Sequence, residues 1–176
     1  VRVFDPYCYR CPFGAEPDTC SRQCVGHIEE VIQMEGPQNI AAMLAEGVTG
    51  TNGLLVPPDD YWPRVRALLD KYDILLIDDE VMAGFGRTGK WFATQHYGIK
   101  PDFVTMAKGV ASGYAAIACT VTTQAVFEMF KDDASDPMSY FRDISTFGGC
   151  ASGPAAALEN MRIIEEEGLL DNTTRM

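Results

Sequence analysis

The stretch Ile74–Ile77 (ILLI) is a continuous apolar run of strand length, and it ends abruptly in the acidic residues Asp78–Glu80 (DDE). Such a run is typical of a parallel β-strand that is buried on both faces. In open parallel sheets, ligands bind beyond the carboxyl ends of the strands. The sequence therefore predicts a buried strand whose acidic end lies beside a binding site.

Strand-like and helix-like segments alternate on both sides of this run, with short links between them. The alternation is typical of an α/β protein with a mostly parallel sheet and flanking helices. Ser21 is the predicted cap of the first helix. The predicted strands are Asn39–Glu46, Asp102–Met106 and Ala115–Val121, the predicted helices are 21–34, 58–72, 124–130 and 151–167, and residues 131–145 are predicted to form a polar loop.

Charge and hydropathy argue against two classes of partner. The 176 residues include 14 Lys and Arg against 25 Asp and Glu, which gives a net charge of −11. Nucleic acid is not an expected partner, because its binding depends on cationic contacts that release counterions from phosphates. No apolar run approaches the roughly eighteen residues of a membrane span, and no signal sequence opens the chain. These features predict a cytoplasmic protein that binds no membrane.

Four of the six cysteines, Cys8, Cys11, Cys20 and Cys24, follow the spacing C-x2-C-x8-C-x3-C. Clustered cysteines are typical of structural zinc sites. Here the long central gap is unusual, no second C-x2-C follows, and only His27 lies close enough to substitute as a ligand. A metal site and free thiols both stay open. The spacing favours free thiols, so no metal ligand is assigned.

Two glycine patterns invite a nucleotide-binding interpretation. Gly84–Gly89 (GFGRTG) matches G-x-G-x-x-G, and Gly84–Lys90 also matches half of a phosphate-binding loop. Trp91 stands where that loop needs Ser or Thr to hold magnesium. The acidic residues between the strand and the glycines would repel a pyrophosphate group. The glycines are therefore expected to form a tight loop beside an active site.

Asp79 ends the apolar strand, and Lys108 follows the next predicted strand in the stretch Thr105–Gly113 (TMAKGVASG). The small and apolar neighbours of Lys108 predict a partly desolvated ammonium. Desolvation lowers the pKa of a lysine and makes its amine a better nucleophile toward carbonyls. For a lysine taken alone, the alternative is a side chain that simply reaches solvent from a loop.

Several ordered motifs resemble those of class III aminotransferases. Asp79–Gly89 (DEVMAGFGRTG) resembles the family signature D-E-V-x-x-G-F-G-R-T-G, and the resemblance covers nearly the whole chain. Pro6–Pro12 (PYCYRCP) is similar to the corresponding stretch of family members that act on taurine and on ω-amino acids with pyruvate. The pattern continues in the same order with His96–Gly98 (HYG), Pro101–Asp102 (PD), Met106–Gly109 (MAKG) and Ser145–Gly149 (STFGG).

The resemblance implies roles for five residues and one cofactor, pyridoxal 5′-phosphate. Lys108 would bind the cofactor aldehyde covalently, and Asp79 would pair with the pyridine nitrogen and keep it protonated, so that both are catalytic. Val81 would pack against one face of the cofactor ring. Thr146 would reach the cofactor phosphate of the neighbouring subunit, because family active sites form at a homodimer interface. Glu46 matches the glutamate of the family's E-P-x-x-G turn, where it would help to bind substrate by pairing with an arginine from the C-terminal part of the protein.

The resemblance also implies a domain and a reaction. Residues 1–176 would form the second half of the large cofactor-binding domain of a fold type I aminotransferase, without its N-terminal segment and its small C-terminal domain. The reaction would move an amino group from an amine or ω-amino acid to an oxo acid such as pyruvate, and the isolated chain is expected to be inactive. An aminomutase or decarboxylase of the same fold and a non-catalytic remnant are the alternatives. Gly47, Thr49 and Met82 depart from the family pattern and argue against ornithine or 4-aminobutyrate enzymes.

Overall fold

A four-stranded sheet lies at the centre of the computed structural model, which describes residues 1–130, 135–138 and 140–176. The second strand along the chain pairs in parallel with both of its neighbours, whereas the fourth strand pairs antiparallel with the third. The predicted mostly parallel α/β sheet is confirmed, with a last strand that is shorter than predicted. The strands, in their hydrogen-bonded order, are β1 (Ala42–Ala45), β2 (Leu75–Asp79), β3 (Phe103–Met106) and β4 (Cys119–Thr122).

The helices follow the predicted segments closely, with one addition. The α-helices are α1 (Gln23–Glu35), α2 (Tyr61–Lys71), α3 (Gln124–Glu128), α4 (Ser152–Glu166) and α5 (Leu169–Arg175), and short 3-10 helices cover Cys8–Arg10, Pro37–Asn39, Ala93–His96 and Lys108–Val110. Helix α5 was not predicted, because its sequence LLDNTTR has too short an apolar pattern. Ser21 is not the cap of α1, since Arg22 takes that place in a left-handed conformation. Residues 131–134 and 139 of the predicted polar loop lie outside the described residues.

The sheet is covered on one face, so the prediction that β2 is buried on both faces is wrong. Leu76 and Asp78 are buried, whereas Leu75, Ile77 and Asp79 on the opposite face are only half-buried. The strand predicted at 39–46 is not buried either, because Leu44 of β1 is 63% exposed. The physical reason is that the strand residues of both core clusters come from a single face. These residues include Met43, Ala45, Leu76, Val104, Met106 and Cys119.

Helix α2 supplies most of the first core cluster. Its apolar residues recur at intervals that place them on one side of a helix. They pack against α1 and β2, and the indole Nε1 of Trp62 donates a hydrogen bond to the carbonyl oxygen of Gly47 at 2.9 Å. This contact ties α2 to the turn that follows β1. The buried residues of the cluster are Ile28, Ile32, Tyr61, Trp62, Val65, Leu68, Leu69, Ile74 and Leu76.

Asp102 clamps α2, β2 and β3 together. Its Oδ2 accepts hydrogen bonds from the guanidinium of Arg66 and from the backbone N–H of Leu76, both at 2.8 Å. The Asp102 N–H in turn donates to the carbonyl oxygen of Leu76 at 2.9 Å. A hydrogen bond to a charged group is stronger than a neutral one. The clamp therefore sets the position of β3 along β2.

A second core cluster lies around the segments that follow β2 and β3. Phe85, from the loop after β2, packs with Met106 and Val110 and with Ala157 and Ile164 of α4. Leucines of α5 pack against the same cluster. The connections at this edge of the sheet are thus supported by apolar packing.

Two carboxylates are buried together on the covered side of the chain. Asp78 and Glu80 are each 1% exposed, and Thr94 Oγ1 donates to Asp78 Oδ2 at 3.0 Å. The N–H of Thr94 donates to Glu80 Oε1 at 3.1 Å. Within the described part of the chain, Asp78 Oδ1 and Glu80 Oε2 have no hydrogen-bond partner. Burial, reinforced by the charge of Glu80, raises the pKa of Asp78 to about 8.

This buried acid predicts a pH-dependent stability. An unfolded chain ionises Asp78 near pH 4, whereas the folded chain keeps its proton up to about pH 8. The folded state binds more protons between these values, so stability falls across this window as the pH rises. Asp78→Asn should make the decrease in the free energy of unfolding between pH 5 and pH 9 smaller by a few kcal/mol. Urea unfolding at the two pH values measures this difference. The exposed Asp171→Asn is the control, and an equal pH dependence in all three proteins would show that Asp78 is ionised in the fold.

Truncation of a side chain in the first core cluster is expected to lower the free energy of unfolding strongly. Leu69 is 1% exposed, so Leu69→Ala should lower the free energy of unfolding by about 2–5 kcal/mol, because it leaves a cavity. Leu158 on α4 is 69% exposed, and Leu158→Ala should change the free energy of unfolding by less than about 0.5 kcal/mol. Urea denaturation followed by tryptophan fluorescence measures both. Similar losses in the two variants would contradict the assignment of the core.

Candidate active site

Three chain segments that carry predicted site residues meet at one edge of the sheet. Glu46 follows β1, Asp79 ends β2 and Lys108 lies two residues beyond the end of β3. In the parallel register, Ala45 pairs with Asp78, and Asp79 pairs with Thr105. The carboxyl ends of the three strands are therefore level, and ligands of open α/β sheets bind at such an edge.

Asp79 lies on the face of the sheet that the described helices leave uncovered. Its Oδ1 accepts a hydrogen bond from the backbone N–H of Val81 at 2.9 Å, which fixes the carboxylate at the end of the strand. Val81 is itself half-buried. Asp79 and Glu46 both line a cavity of about 990 Å³ whose other lining residues come mainly from residues 1–6, α1 and β1. A carboxylate in this position can bind a cationic group from solvent.

Lys108 is exposed and lies in a turn with an unusual backbone conformation. Its φ is +39°, a value that side-chain-bearing residues rarely adopt and that is concentrated at functional sites. Its Nζ donates to the sulfur of Met82 at 2.8 Å, and a thioether is only a weak acceptor. The prediction that neighbouring residues partly desolvate the ammonium is wrong for the described chain, because the small side chains around it leave it open to solvent.

A turn after β1 connects Glu46 to this lysine. Glu46 Oε2 accepts a hydrogen bond from the N–H of Gly50 at 2.8 Å, closing the turn. A β-carbon at Gly50 would lie 2.7 Å from Cγ of Met82, so no other residue fits without displacing that side chain. Met82 in turn accepts the hydrogen bond from Lys108. The structure thus joins Glu46, Gly50, Met82 and Lys108 through a continuous series of contacts.

Asn160 supports the lysine turn from α4. Its Nδ2 donates to the carbonyl oxygen of Gly109 at 2.8 Å and to that of Val110 at 3.1 Å. These bonds satisfy two backbone acceptors next to Lys108 and hold the turn against the helix. Sequence reasoning missed Asn160, because it lies some fifty residues from the turn and no local pattern marks it.

The glycine loop after β2 does not have the form of a nucleotide site. The Phe85 N–H donates to the carbonyl oxygen of Trp91 at 2.7 Å, which folds the loop back on itself. A β-carbon at Gly89 would lie 2.5 Å from Oγ1 of Thr174, so α5 packs directly on the loop. The expectation of a tight loop is confirmed, and its place beside an active site stays a prediction.

Thr146 is exposed to solvent. It lies in an exposed turn in which the N–H of Gly148 donates to the carbonyl oxygen of Ser145 at 3.1 Å. In the described ranges, no hydrogen bond joins Thr146 to Asp79 or Lys108. The large apolar side chains of Ile144 and Phe147 beside it are also exposed.

The described residues offer neither a metal-binding cluster nor a membrane-spanning helix. No group of three or more His, Cys, Asp or Glu side chains among them is placed to hold a metal ion. None of the helices seen in those residues is both long enough and apolar enough to cross a membrane.

Known proteins match the chain over nearly all of its length. The family model of class-III aminotransferases matches residues 4–176. A hypotaurine/taurine–pyruvate aminotransferase of Paracoccus denitrificans is 60% identical over the whole chain, which corresponds to 38% of that relative. The chain thus spans a little over a third of the length of such relatives.

Solved structures give the same match. An ω-transaminase from Thermomicrobium roseum has a TM-score of 0.89 at 41% identity, over 98% of this chain and 38% of the other. A PLP-bound amine transaminase from an uncultivated Pseudomonas species also has a TM-score of 0.89, at 37% identity, over 95% of this chain and 38% of the other. The predicted relation to fold type I transaminases is confirmed. The chain belongs to the class-III aminotransferase family.

Proposed function

We propose that this chain is part of a pyridoxal-phosphate-dependent aminotransferase that moves an amino group from taurine or a similar ω-amino acid to pyruvate. The observation that carries the proposal is the placement of Asp79 and Lys108 on the level ends of two hydrogen-bonded parallel strands. The 60% identity to a hypotaurine/taurine–pyruvate aminotransferase supports this pair of substrates.

The side chains at this edge fit the cofactor. Asp79 offers a carboxylate, fixed by the Val81 N–H, for a protonated pyridine nitrogen. Lys108 offers an exposed primary amine that, among the described residues, donates to a weak sulfur acceptor, and such an amine can bind an aldehyde carbon. When bound, pyridoxal phosphate withdraws electrons from the substrate carbon that carries the amino group. Val81 would pack against the ring of the cofactor.

Lys108 would also move the proton. As a general base, Nζ of Lys108 would accept the proton that leaves the substrate carbon. This step requires a neutral amine, which is favoured by exclusion of water. Since the described residues leave Lys108 exposed, we propose that groups outside this chain cover it. The remainder of the protein and a second subunit are the proposed sources.

Three further assignments belong to this proposal. We assign residues 1–176 to the second half of the large domain, and we expect the isolated chain to be inactive. Thr146 would bind the cofactor phosphate of the partner in a homodimer, and its exposure together with that of Phe147 is consistent with a role outside its own subunit. Glu46 would help to position the substrate from its turn, in a cytoplasmic enzyme.

Replacement of the lysine tests the assignment directly. In the full-length protein, Lys108→Ala should abolish the visible absorbance band of the bound cofactor and lower alanine formation from taurine and pyruvate by at least about 100-fold. Lys90 is a nearby exposed lysine in the glycine loop, and Lys90→Ala should keep both properties. A Lys108→Ala protein with the band and normal turnover would refute the proposal. Taurine, β-alanine and simple amines, added in turn, identify the amino donor.

Replacement of the aspartate separates its role from that of the lysine. Asp79→Asn keeps the hydrogen bond to Val81 but removes the charge that keeps the pyridine nitrogen protonated. We expect cofactor to stay bound, with turnover reduced by roughly 100-fold or more, because the ring withdraws electrons less effectively. Absorbance and alanine formation measure the two effects. Full turnover in Asp79→Asn would show that this carboxylate does not contact the ring.

A further inference from the structure

Asn160 is a polar residue on the apolar face of α4. Ala157 and Ile164 lie three positions before it and four positions after it, and both are buried in the second core cluster. Residues at these intervals share one side of a helix. An apolar side chain is the usual residue on such a face, so the amide of Asn160 has a role other than packing.

The partner of this amide is the 3-10 helix at Lys108–Val110. A 3-10 helix of three residues leaves most of its carbonyl groups without a partner in the helix itself. An asparagine amide nitrogen carries two hydrogens, and Nδ2 of Asn160 donates to the carbonyl oxygens of Gly109 and Val110. Val110 is 1% exposed, so little water is available to replace the amide there.

The glycine loop also limits the position of this turn. A β-carbon at Gly109 would lie 3.1 Å from Cβ of Phe85, which is closer than most such contacts in proteins. Phe85 is buried in the second core cluster together with Val110. The residue after Lys108 is thus in contact with the glycine loop, while its carbonyl group is bonded to α4.

These contacts act next to a strained residue. Lys108 has a φ of +39°, which is unfavourable for a residue with a β-carbon. Such a conformation persists only where the surrounding structure enforces it. The two hydrogen bonds from Asn160 hold the peptide groups that follow Lys108, and they therefore oppose its relaxation to a negative φ. That relaxation would turn the Cα–Cβ bond and change the direction of the amine.

We propose that Asn160 is a positioning residue for the amine of Lys108. The inference rests on the proposed function, in which that amine binds the cofactor aldehyde and accepts a proton. Asn160 acts through the turn from which the amine reaches these groups. Proton transfer requires its partners to be aligned, and a small displacement of one of them slows the reaction strongly. Loss of Asn160 should therefore slow the reaction and leave substrate binding nearly unchanged.

Steady-state kinetics of the full-length protein test this role. Asn160→Asp keeps the shape of the side chain but replaces the donating amide by a carboxylate, which both carbonyl groups repel. The kcat per bound cofactor should fall about tenfold, and the KM for taurine should change by less than about twofold. Asn172 is an exposed asparagine on α5, so Asn172→Asp is the matched control and should keep both constants. An unchanged kcat in Asn160→Asp would overturn the proposal, and so would a raised KM with a normal kcat.

Covalent capture gives a readout that does not depend on turnover. The cofactor-free full-length protein is mixed with pyridoxal phosphate, and sodium borohydride is added after set times. The lysine amine and the aldehyde form a C=N bond with loss of water, and borohydride reduces this bond to a stable amine. Peptide mass spectrometry should show capture at Lys108 about fivefold slower in Asn160→Asp than in the unaltered protein, with equal labelling of Lys90. Equal rates at Lys108 would contradict the proposal.

A second variant covers a folding defect. Circular dichroism and thermal unfolding show whether Asn160→Asp folds. If it does not, Asn160→Ala removes the amide without adding a charge, and the same changes in kcat and capture rate are expected. Failure of both variants to fold would show that Asn160 is needed for the fold and not for positioning, which overturns the proposal.

The unaltered protein separates this inference from the proposed function. If it shows neither capture at Lys108 nor alanine formation from taurine and pyruvate, the proposed function is wrong and the inference is wrong with it. If it shows both, and the folded Asn160 variants match it in kcat and in capture rate, the inference alone is wrong.

Discussion

Parallel pairing of β2 with both of its neighbours is the constraint on which the candidate site depends. The pairing makes the carboxyl ends of three strands level, so that Glu46, Asp79 and Lys108 are delivered to one edge although they are far apart in sequence. Asp102 maintains this arrangement, because a single carboxylate oxygen binds both the N–H of Leu76 and the guanidinium of Arg66. A slip of β3 along β2 would break this clamp and, at the same time, move Lys108 away from Asp79.

The sheet divides into a packed face and an open one, and the chemistry follows that division. Leu76 and Asp78 point into the packed side, where the low dielectric holds a proton on a carboxyl group. Asp79, one residue later, points to the open side, where its carboxylate can meet a ligand. Because successive side chains of a β-strand point to opposite faces, the two adjacent aspartates lie in different environments. The first supports the structure and the second is available for binding.

Local patterns in the sequence predict much of this fold, and their failures have a common cause. The run at 74–77 marks β2 because apolar β-strands are short and bounded by polar residues, and the alternation of elements predicts the mostly parallel sheet. The same run suggests burial on both faces, which the structure contradicts. Apolar side chains indicate that a strand can be buried. Whether helices cover both faces of the sheet depends on the tertiary arrangement, which the local sequence does not show. The antiparallel direction of β4 is likewise a property of long-range pairing.

The site shows the same division between local and distant information. Asp79 and Lys108 could be proposed from their own motifs, and Glu46 from its turn. Asn160 could not, because its role is defined by carbonyl groups on another element. The exposure of Lys108 is not predictable from its neighbours either, because small side chains desolvate an ammonium only where other groups cover it, and here they leave it accessible.

The close approach of Gly50 to Met82 has a consequence for any attempt to redesign this part of the chain. The two positions compete for one volume, so a bulkier residue at 50 requires the Met82 side chain to move or to be replaced by a smaller one. Because Met82 also accepts the hydrogen bond from Lys108, a change at either position alone would also disturb the lysine side chain. Changing residues 50 and 82 together keeps the Lys108 amine in place while the space around it changes.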